Sequence, residues 1–417
     1  MHGWHALAPL AAWSTGCDDP PIAITDGAPT MPHPTSRRRF IALAGGGAVF
    51  ATLPLAGCAS AYPEEATQAW RAAGTETDLR RYMLAHALLA PNPHNRQPWI
   101  ADLAQPGRIG LVCDGERLLP ETDPFGRQIL IGCGAFIELA VIAAAERGVA
   151  VDVQLFPDGA PAADVLPRRT RVAVLQLREA GSARPDPLFT QIPRRHTNKT
   201  AYENDRALPA QLTTQWAQTA QRFGLASGMV ADPGGMDRLR AITREAYEIE
   251  VVTPRTWLES ARLMRIGPRE IARHRDGISL NGMLPRVMHA VGLFDPLEVP
   301  GPGSATLKRV MERWAAFETG SGYLWLSSAG NTRQVQVDAG RAYVRLHLQA
   351  TEAGVEMHPL SQALQEFPEV RGPYLALHRA VALDPQRNTV QMLARTGFAL
   401  QPAQPSPRRG LQEMLQA

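Results

Sequence analysis

Two stretches of the chain carry the same hydrophobic pattern at the same internal spacing. Gly134 to Val149 reads GAFIELAVIAAAERGV, and Gly340 to Val355 reads GRAYVRLHLQATEAGV. The first and last glycines stand 14 residues apart in both (134 to 148, 340 to 354), and Ala144/Ala350 and Glu146/Glu352 match between them. Each stretch predicts an Ala- and Leu-rich helix stopped by a glycine, the residue that takes a left-handed backbone without a Cβ penalty. The first helix is apolar almost all round, which implies burial on several sides. Behind it, Val149, Val151, Val153 and Leu155 alternate as a half-buried strand, and Val172 and Val174 mark another. Any two Ala-rich helices can look alike, so the pattern alone leaves coincidence open.

A different apolar run lies near the N-terminus. Ser36-Arg37-Arg38-Arg39-Phe40-Ile41 precedes Ala42 to Ala56, which is interrupted by Gly45-Gly46-Gly47. The run falls short of the roughly 20 apolar residues that cross a bilayer. It predicts an export signal over residues 1–57, with Met31 as the true start. The paired arginines before Phe40 resemble a twin-arginine signal, which exports folded cargo. Leu55-Ala56-Gly57-Cys58 resembles a lipoprotein cleavage box, with Cys58 as the lipidated first residue of a periplasmic protein held at the membrane. An uncleaved signal anchor is the competing reading. Residues 58–74, rich in Ala, Ser, Pro and Glu, read as a tether, and 402–417 as a tail.

Composition narrows the class. The 417 residues suffice for two average domains, and 45 % hydrophobic with 20 % charged describes a soluble globular protein. The net charge of +3 comes with no run of five or six arginines, so no nucleic-acid face is implied. No Cys-x-x-Cys or His-x-x-x-His spacing offers a zinc site. Cys113, in a strand-like run, and Cys133, opening a helix, read as buried free thiols, with a disulfide as the alternative in an oxidising compartment. Neither a Gly-x-Gly-x-x-Gly after a strand nor a Gly-x-Ser-x-Gly elbow is present.

Two segments carry candidate chemistry. Ala90-Pro91-Asn92-Pro93-His94-Asn95-Arg96-Gln97-Pro98-Trp99 is turn-rich, offers backbone and side-chain amides to a ligand, and ends in a tryptophan suited to burial. Taken alone it is a loop with an aromatic plug. Arg194-Arg195-His196-Thr197-Asn198-Lys199 supplies a guanidinium fork, a hydroxyl and an ammonium, a set that suits a phosphate monoester. A solvated basic loop is the plain alternative.

Together these segments resemble the nitroreductase family. The Pro-x-x-x-Asn-x-Gln-Pro-Trp pattern of Pro91 to Trp99 is similar to its flavin-contacting loop, and Arg195-His196-Thr197-x-Lys199 to its FMN phosphate loop. The resemblance implies FMN as cofactor, with Pro91, Asn92, Pro93 and Asn95 against the flavin and Arg195, His196 and Thr197 near the ribityl phosphate. Lys199 would lie near the N1/O2 edge, where a fixed cation stabilises reduced flavin. Val355 to Ser361 aligns with the loop whose backbone N–H reaches N5, contributed by Pro359, Leu360 and Ser361. Ser361 stands where many members carry Glu, so the backbone contact survives and a carboxylate role does not. Met392 to Phe398 resembles the closing strand, whose Arg395 would return to the phosphate. His358 reads equally as catalytic or structural.

The implied fold is α+β: two tandem nitroreductase-like units, 75–185 and 186–401, each a mainly antiparallel sheet flanked by helices, forming a pseudo-dimer within one monomeric chain. A linker rich in Pro, Gly, Ser and charge spans 178–193. An insertion at 254–304 reads as surface decoration or as a lid. The flavin-loop motif falls in the first unit and the phosphate motif in the second. The first unit's counterpart of the phosphate loop, around Leu79-Arg80-Arg81-Tyr82-Met83, lacks the hydroxyl and the second cation of the motif. One complete and one decayed flavin site follow, as in the Acg-type branch of the family. The implied activity passes electrons through flavin N5 to a small nitroaromatic- or quinone-like acceptor, with the donor left open. The competing functions are an FMN-holding protein without turnover and a structural lipoprotein.

Overall fold

The repeated helix–glycine pattern folds as two 20-residue helices, Arg127–Glu146 and Arg333–Glu352, whose starts and ends are separated by the same 206 residues (127 to 333, 146 to 352). The computed structural model describes residues 61–416, so the export signal and Cys58 lie outside the described residues. Each helix stops before a glycine in the left-handed region, Gly148 at φ 72° and Gly354 at φ 67°. The two helices pack on one another through glycines. A Cβ on Gly134 would lie 1.9 Å from the Val337 carbonyl oxygen, and one on Gly340 would lie 1.8 Å from that of Ile131. Ile131 and Val337 obey the same 206-residue offset, so the contact repeats when the halves are exchanged. The first helix is long and apolar enough to cross a membrane, but it is buried inside the fold.

Around each helix lies a four-stranded antiparallel sheet of the same topology. In the first half β1 (Trp99–Asp102), β2 (Arg108–Asp114), β3 (Val149–Leu155) and β4 (Arg169–Ala180) run in the order β1-β2-β4-β3. In the second half β5 (Ala226–Val230), β8 (Gly322–Ala329), β9 (Glu356–Pro359) and β10 (Asn388–Gly397) run β5-β8-β10-β9. A small parallel pair, β6 (Met264–Ile266) and β7 (Ile278–Leu280), lies within the insertion. The architecture is the expected α+β arrangement of two antiparallel sheets with flanking helices.

The halves are tied together at the helix starts. Buried Arg127 donates to the Leu364, Val390 and Gln391 carbonyls and to the Glu366 carboxylate, all in the second half. Arg333, its counterpart, is also buried and donates to the Phe125, Ala162 and Val165 carbonyls of the first half. Glu138 receives Arg341 at 2.8 Å and Arg345 across the helix pair.

Several boundaries differ from the sequence expectation. Residues 61–74 are not a tether: Glu64–Thr67 and Ala69–Ala72 are helical, and Trp70 is buried in the first core with its indole N–H on the Ser406 carbonyl at 2.7 Å. One large aromatic outweighs the polar composition around it, because its burial area dominates. Residues 402–416 are not a tail either. Met414 joins the first core, Arg408 N–H bonds the Ala66 carbonyl, and Leu415 bridges to Ala101. The presumed linker is largely structured, since β4 runs to Ala180 and Pro187–Arg194 forms a 3-10 stretch that buries Leu188 and Ile192. Cys113 and Cys133 are free and buried; Cys133 sits within its helix and does not open it.

Candidate functional site

The loop between the helix Leu79–Ala87 and β1 is fixed by its own amides. Asn92 Oδ1 accepts from Gln97 N–H at 2.7 Å, and Asn92 Nδ2 donates to the Ala90 carbonyl at 3.1 Å. Buried Gln97 donates to the Arg275 carbonyl and accepts from Arg409 N–H, each at 2.8 Å. Trp99 is buried against Phe136, with ring centroids 4.8 Å apart. Three non-glycine residues here take left-handed backbone: His94 (φ 48°), Asn95 (φ 50°) and Gln97 (φ 51°). Such conformations cost on the order of 1–3 kcal/mol each and persist where the surroundings over-determine them, as this bonding does. The loop rests on the first central helix, where a Cβ on Gly132 would lie 3.1 Å from Asn92 Cβ.

Against this loop the second half brings positive charge without counter-charge. Arg195 is buried; its Nη2 donates to the Leu89 carbonyl at 2.7 Å, its Nη1 lies 3.5 Å from His347 Nδ1, and its Nε has no partner. Arg408, also buried, donates from Nη1 to Asn95 Oδ1 at 2.8 Å, Ser406 Oγ at 2.6 Å and the Pro407 carbonyl at 3.0 Å, and from Nη2 to the Leu89 and Ala90 carbonyls at 3.2 Å; its Nε too is unpartnered. Neither guanidinium has a carboxylate partner among the described residues. Burial pushes Arg195 down to about 10, and burial together with the Arg195 charge pushes Arg408 down to about 9.

Three more groups share this field. Lys199 has its pKa lowered by the protein around it, although its side chain stays open to water. His94 is pushed down to about 4 by burial, then by Lys199 and Arg96; His196 is pushed to about 4 by burial, then by Arg195 and Arg408. His196 Nδ1 has no partner, and its ring meets Trp70 edge-on at 4.6 Å. Burying unpaired ions costs several kcal/mol each, and an anion bound between them offsets that cost. The orphaned Nε and Nδ1 atoms fit a phosphate, which accepts several charge-assisted hydrogen bonds at once.

The remaining sequence-predicted residues divide. Pro91, Asn92, Pro93 and Asn95 form the half-buried loop, and Thr197 lies half-buried beside His196. Pro359 ends β9 and has no N–H, while Leu360 N–H donates to the Leu393 carbonyl. Ser361 N–H is left without an acceptor among the described residues. Arg395 is a correction. It is buried, but its nitrogens are committed to His358 Nδ1 (3.1 Å) and to the Ala316, Thr319 and Thr200 carbonyls, so it anchors the Asn198–Thr200 turn and does not reach out to a phosphate. His358, which accepts from it, is structural. Leu79 to Met83, expected as the decayed counterpart of the phosphate loop, opens a helix, and Arg80 and Arg81 are spent on the Leu103 and Gln105 carbonyls and on Glu76. The sequence reading missed Arg408 altogether. Its signal was Pro407-Arg408-Arg409-Gly410, a basic pair between turn residues inside a segment dismissed as tail.

The insertion covers one side of the loop. His94 Nε2 meets Ser260 Oγ at 3.0 Å, and Gly277 N–H donates to the Asn95 carbonyl at 3.2 Å. Asp276 pairs with Arg117 and Arg265 at 2.9 Å each, closing the contact.

Exchange of the halves maps this site onto a separate cavity of about 410 Å³, lined by Val153, Leu155, Phe223, Asp338 and Arg341 among others. Val153, Leu155 and Asp338 stand at the 206-residue offset from Pro359, Ser361 and Gly132. Here the chain passes from the helix Ala210–Arg222 to β5 with no counterpart of the 89–97 loop, and Arg341 is paired with Glu138 and Asp338. Exposed Arg222 also lines this cavity, but no buried, unpaired arginine does.

No protein-family profile matches the chain. It is 26 % identical over 349 residues to the Mycobacterium tuberculosis H37Rv protein Rv3131, whose name assigns it provisionally to the NAD(P)H nitroreductases; the match covers 82 % of this chain and 92 % of that one. A second similarity, 37 % over 82 residues, is to the Acg protein of the same organism, similarly named, and covers 20 % of this chain and 24 % of that one. Among solved structures, the FMN-dependent nitroreductase NfnB of Mycobacterium smegmatis in complex with NADPH aligns at TM-score 0.35 and 17 % identity, over 54 % of this chain and 94 % of its own. NfnB from a Sphingopyxis strain aligns at TM-score 0.34 and 13 % identity, over 55 % and 97 %.

Proposed function

We propose that the chain is an FMN-dependent oxidoreductase of the nitroreductase type, with one flavin site assembled from both halves of a tandem pair. The observation that carries this reading is the buried Arg195–Arg408 pair, without a carboxylate, at the place where the Pro91–Trp99 loop meets the Arg195–Lys199 segment. Arg195, Arg408, His196 and Thr197 would hold the phosphate. Lys199 would face the flavin edge that gains charge on reduction, and Ser361 N–H would serve N5. FMN, when bound, supplies two-electron transfer through N5. The protein's own part is to hold the isoalloxazine on the Pro91–Asn95 loop, to keep cations at its reducible edge, and to shield one side with the insertion, which acts as a lid. The acceptor is a small nitroaromatic or quinone. Purified protein reduced with dithionite and then mixed with such an acceptor tests this: reoxidation of the flavin faster than in free solution supports turnover.

The contacts of Ser260 and Gly277 with the loop favour a second reading, a protein that holds FMN without turnover; slow reoxidation with flavin retained would favour it. The address proposed from Arg37-Arg38 and Cys58 is export after folding, then anchoring by lipid at Cys58. Only a pathway that carries folded cargo preserves a bound cofactor. The mass of the mature N-terminal peptide tests it.

A further inference from the structure

Large apolar side chains are left in water at one place. Of the nine exposed ones among the described residues, six belong to a single segment: Met283, Leu284, Val287, Val291, Leu293 and Leu297, each 52–65 % exposed. The helix Met283–Ala290 contains no buried residue. Met283, Leu284, Val287 and Val291 fall within one arc of about 100° at 3.6 residues per turn, so the arc that faces solvent is the apolar one. In a soluble protein this arrangement is inverted, and contiguous exposed patches of this kind mark an interaction surface.

The rim of the patch is cationic. Arg286 is exposed beside Gly267, where a Cβ would lie 3.5 Å from its Nε, at the start of the helix Pro268–His274 that carries exposed Arg269 and Arg273. Exposed Arg262 closes the preceding helix. None of these four arginines has an ion-pair partner among the described residues, and the exposed acids of the region are Glu270, Asp295 and Glu298. An apolar helical face with unpaired arginines beside it is the composition that lies in the interface of an anionic bilayer.

The fold also sets where the chain enters. Asn281, two residues before this helix, donates its side-chain amide to the Ala61 carbonyl at 3.0 Å. Cys58 is three residues before Ala61, a span of at most about 11 Å. A lipid carried there would enter the membrane within reach of the apolar helix.

We propose that the segment 283–297 is a membrane-docking surface, seating the protein on anionic phospholipid beside its N-terminal anchor. The proposal is independent of the flavin reading and draws on the lipidation of Cys58 for position only. Apolar insertion and cationic contact act together with the acyl chain as paired signals, and the helix fixes orientation where a lipid tether alone leaves the body free to turn.

Amide hydrogen exchange of the full chain, lipidated and with Cys58→Ser, tests this on vesicles of phosphatidylcholine with about one third phosphatidylglycerol. Peptides covering 283–293 are expected to exchange slower by roughly tenfold or more on these vesicles in both forms, while the Pro91–Trp99 loop is unchanged. Val287→Asp with Val291→Asp abolishes the protection and leaves flavin content intact. Equal exchange with and without vesicles overturns the proposal. So does protection without vesicles that fades on dilution, which assigns the patch to a second copy of the chain. Loss of protection only in the Cys58→Ser form overturns the helix as a docking element and leaves the lipid as sole anchor. An unmodified Cys58 with protection retained overturns the lipidation reading alone.

Discussion

Gly134 and Gly340 are interchangeable partners: each presses its Cα against the backbone of the other's helix, at Val337 and Ile131. The exchange reaches the cores, because Ile131 packs among second-half residues such as Leu346, and Val337 among first-half residues such as Phe136. A tandem pair that folded as separate domains would show neither feature.

Replacing either glycine with alanine therefore forces the helices apart. Overpacking of this kind typically costs about 1–3 kcal/mol. Gly134→Ala and Gly340→Ala should each lower the denaturation midpoint to a similar degree, read by chemical unfolding. The double variant should lose less than the sum, since one separation relieves both contacts.

Arg408→Met tests both roles of this side chain. It removes a charge that opposes Arg195 but leaves Asn95 Oδ1 and the Leu89 and Ala90 carbonyls without their donor, so the flavin-free variant should lose no more than about 1–3 kcal/mol. FMN affinity should nevertheless fall roughly ten- to more than a hundredfold, for about 1.5–3 kcal/mol of charge-assisted bonding. Thermal unfolding of the flavin-free protein and fluorescence titration with FMN read the two effects.

Acid should weaken the flavin-free protein through His94 and His196. Both are held at about 4 when folded, against about 6.5 when unfolded. Depressed bases bind more protons in the unfolded state, so their contribution is fully present above about pH 6.5 and is lost as pH falls toward 4. Unfolding free energy measured at pH 7 and pH 5 should drop, and His94→Gln with His196→Gln should flatten that slope. Bound phosphate or FMN raises both pKa values and should flatten it likewise.

Trp70 reports on the N-terminal segment. Trp70→Ala should destabilise by about 3–5 kcal/mol, as for other buried aromatics, and expose residues 61–74 to protease. A true tether would leave stability unchanged and would be cut in the parent protein as well.

The central helices, their glycine stops and the two loops were legible in the sequence because each is set by local rules: period 3.6, a left-handed glycine, turn residues ahead of Trp99. What stayed hidden depends on contacts distant in sequence. Arg408 reaches Leu89, and Trp70 reaches Ser406, across more than 300 residues, and a polar composition gave no hint of either. Arg395 misled for a related reason. A buried strand arginine suits a phosphate or a set of carbonyls equally well, and only the position of the Thr200 and Ala316 oxygens decides for the latter.

The central claim, a single flavin site at the Arg195–Arg408 seam, is tested most directly by FMN stoichiometry in the parent and in the Arg195→Ala/Arg408→Ala pair. The account predicts one FMN per chain by absorbance and protein mass, and its loss in the double variant with the fold intact by circular dichroism. Two flavins per chain, or one flavin bound with unchanged affinity in the double variant, would contradict it.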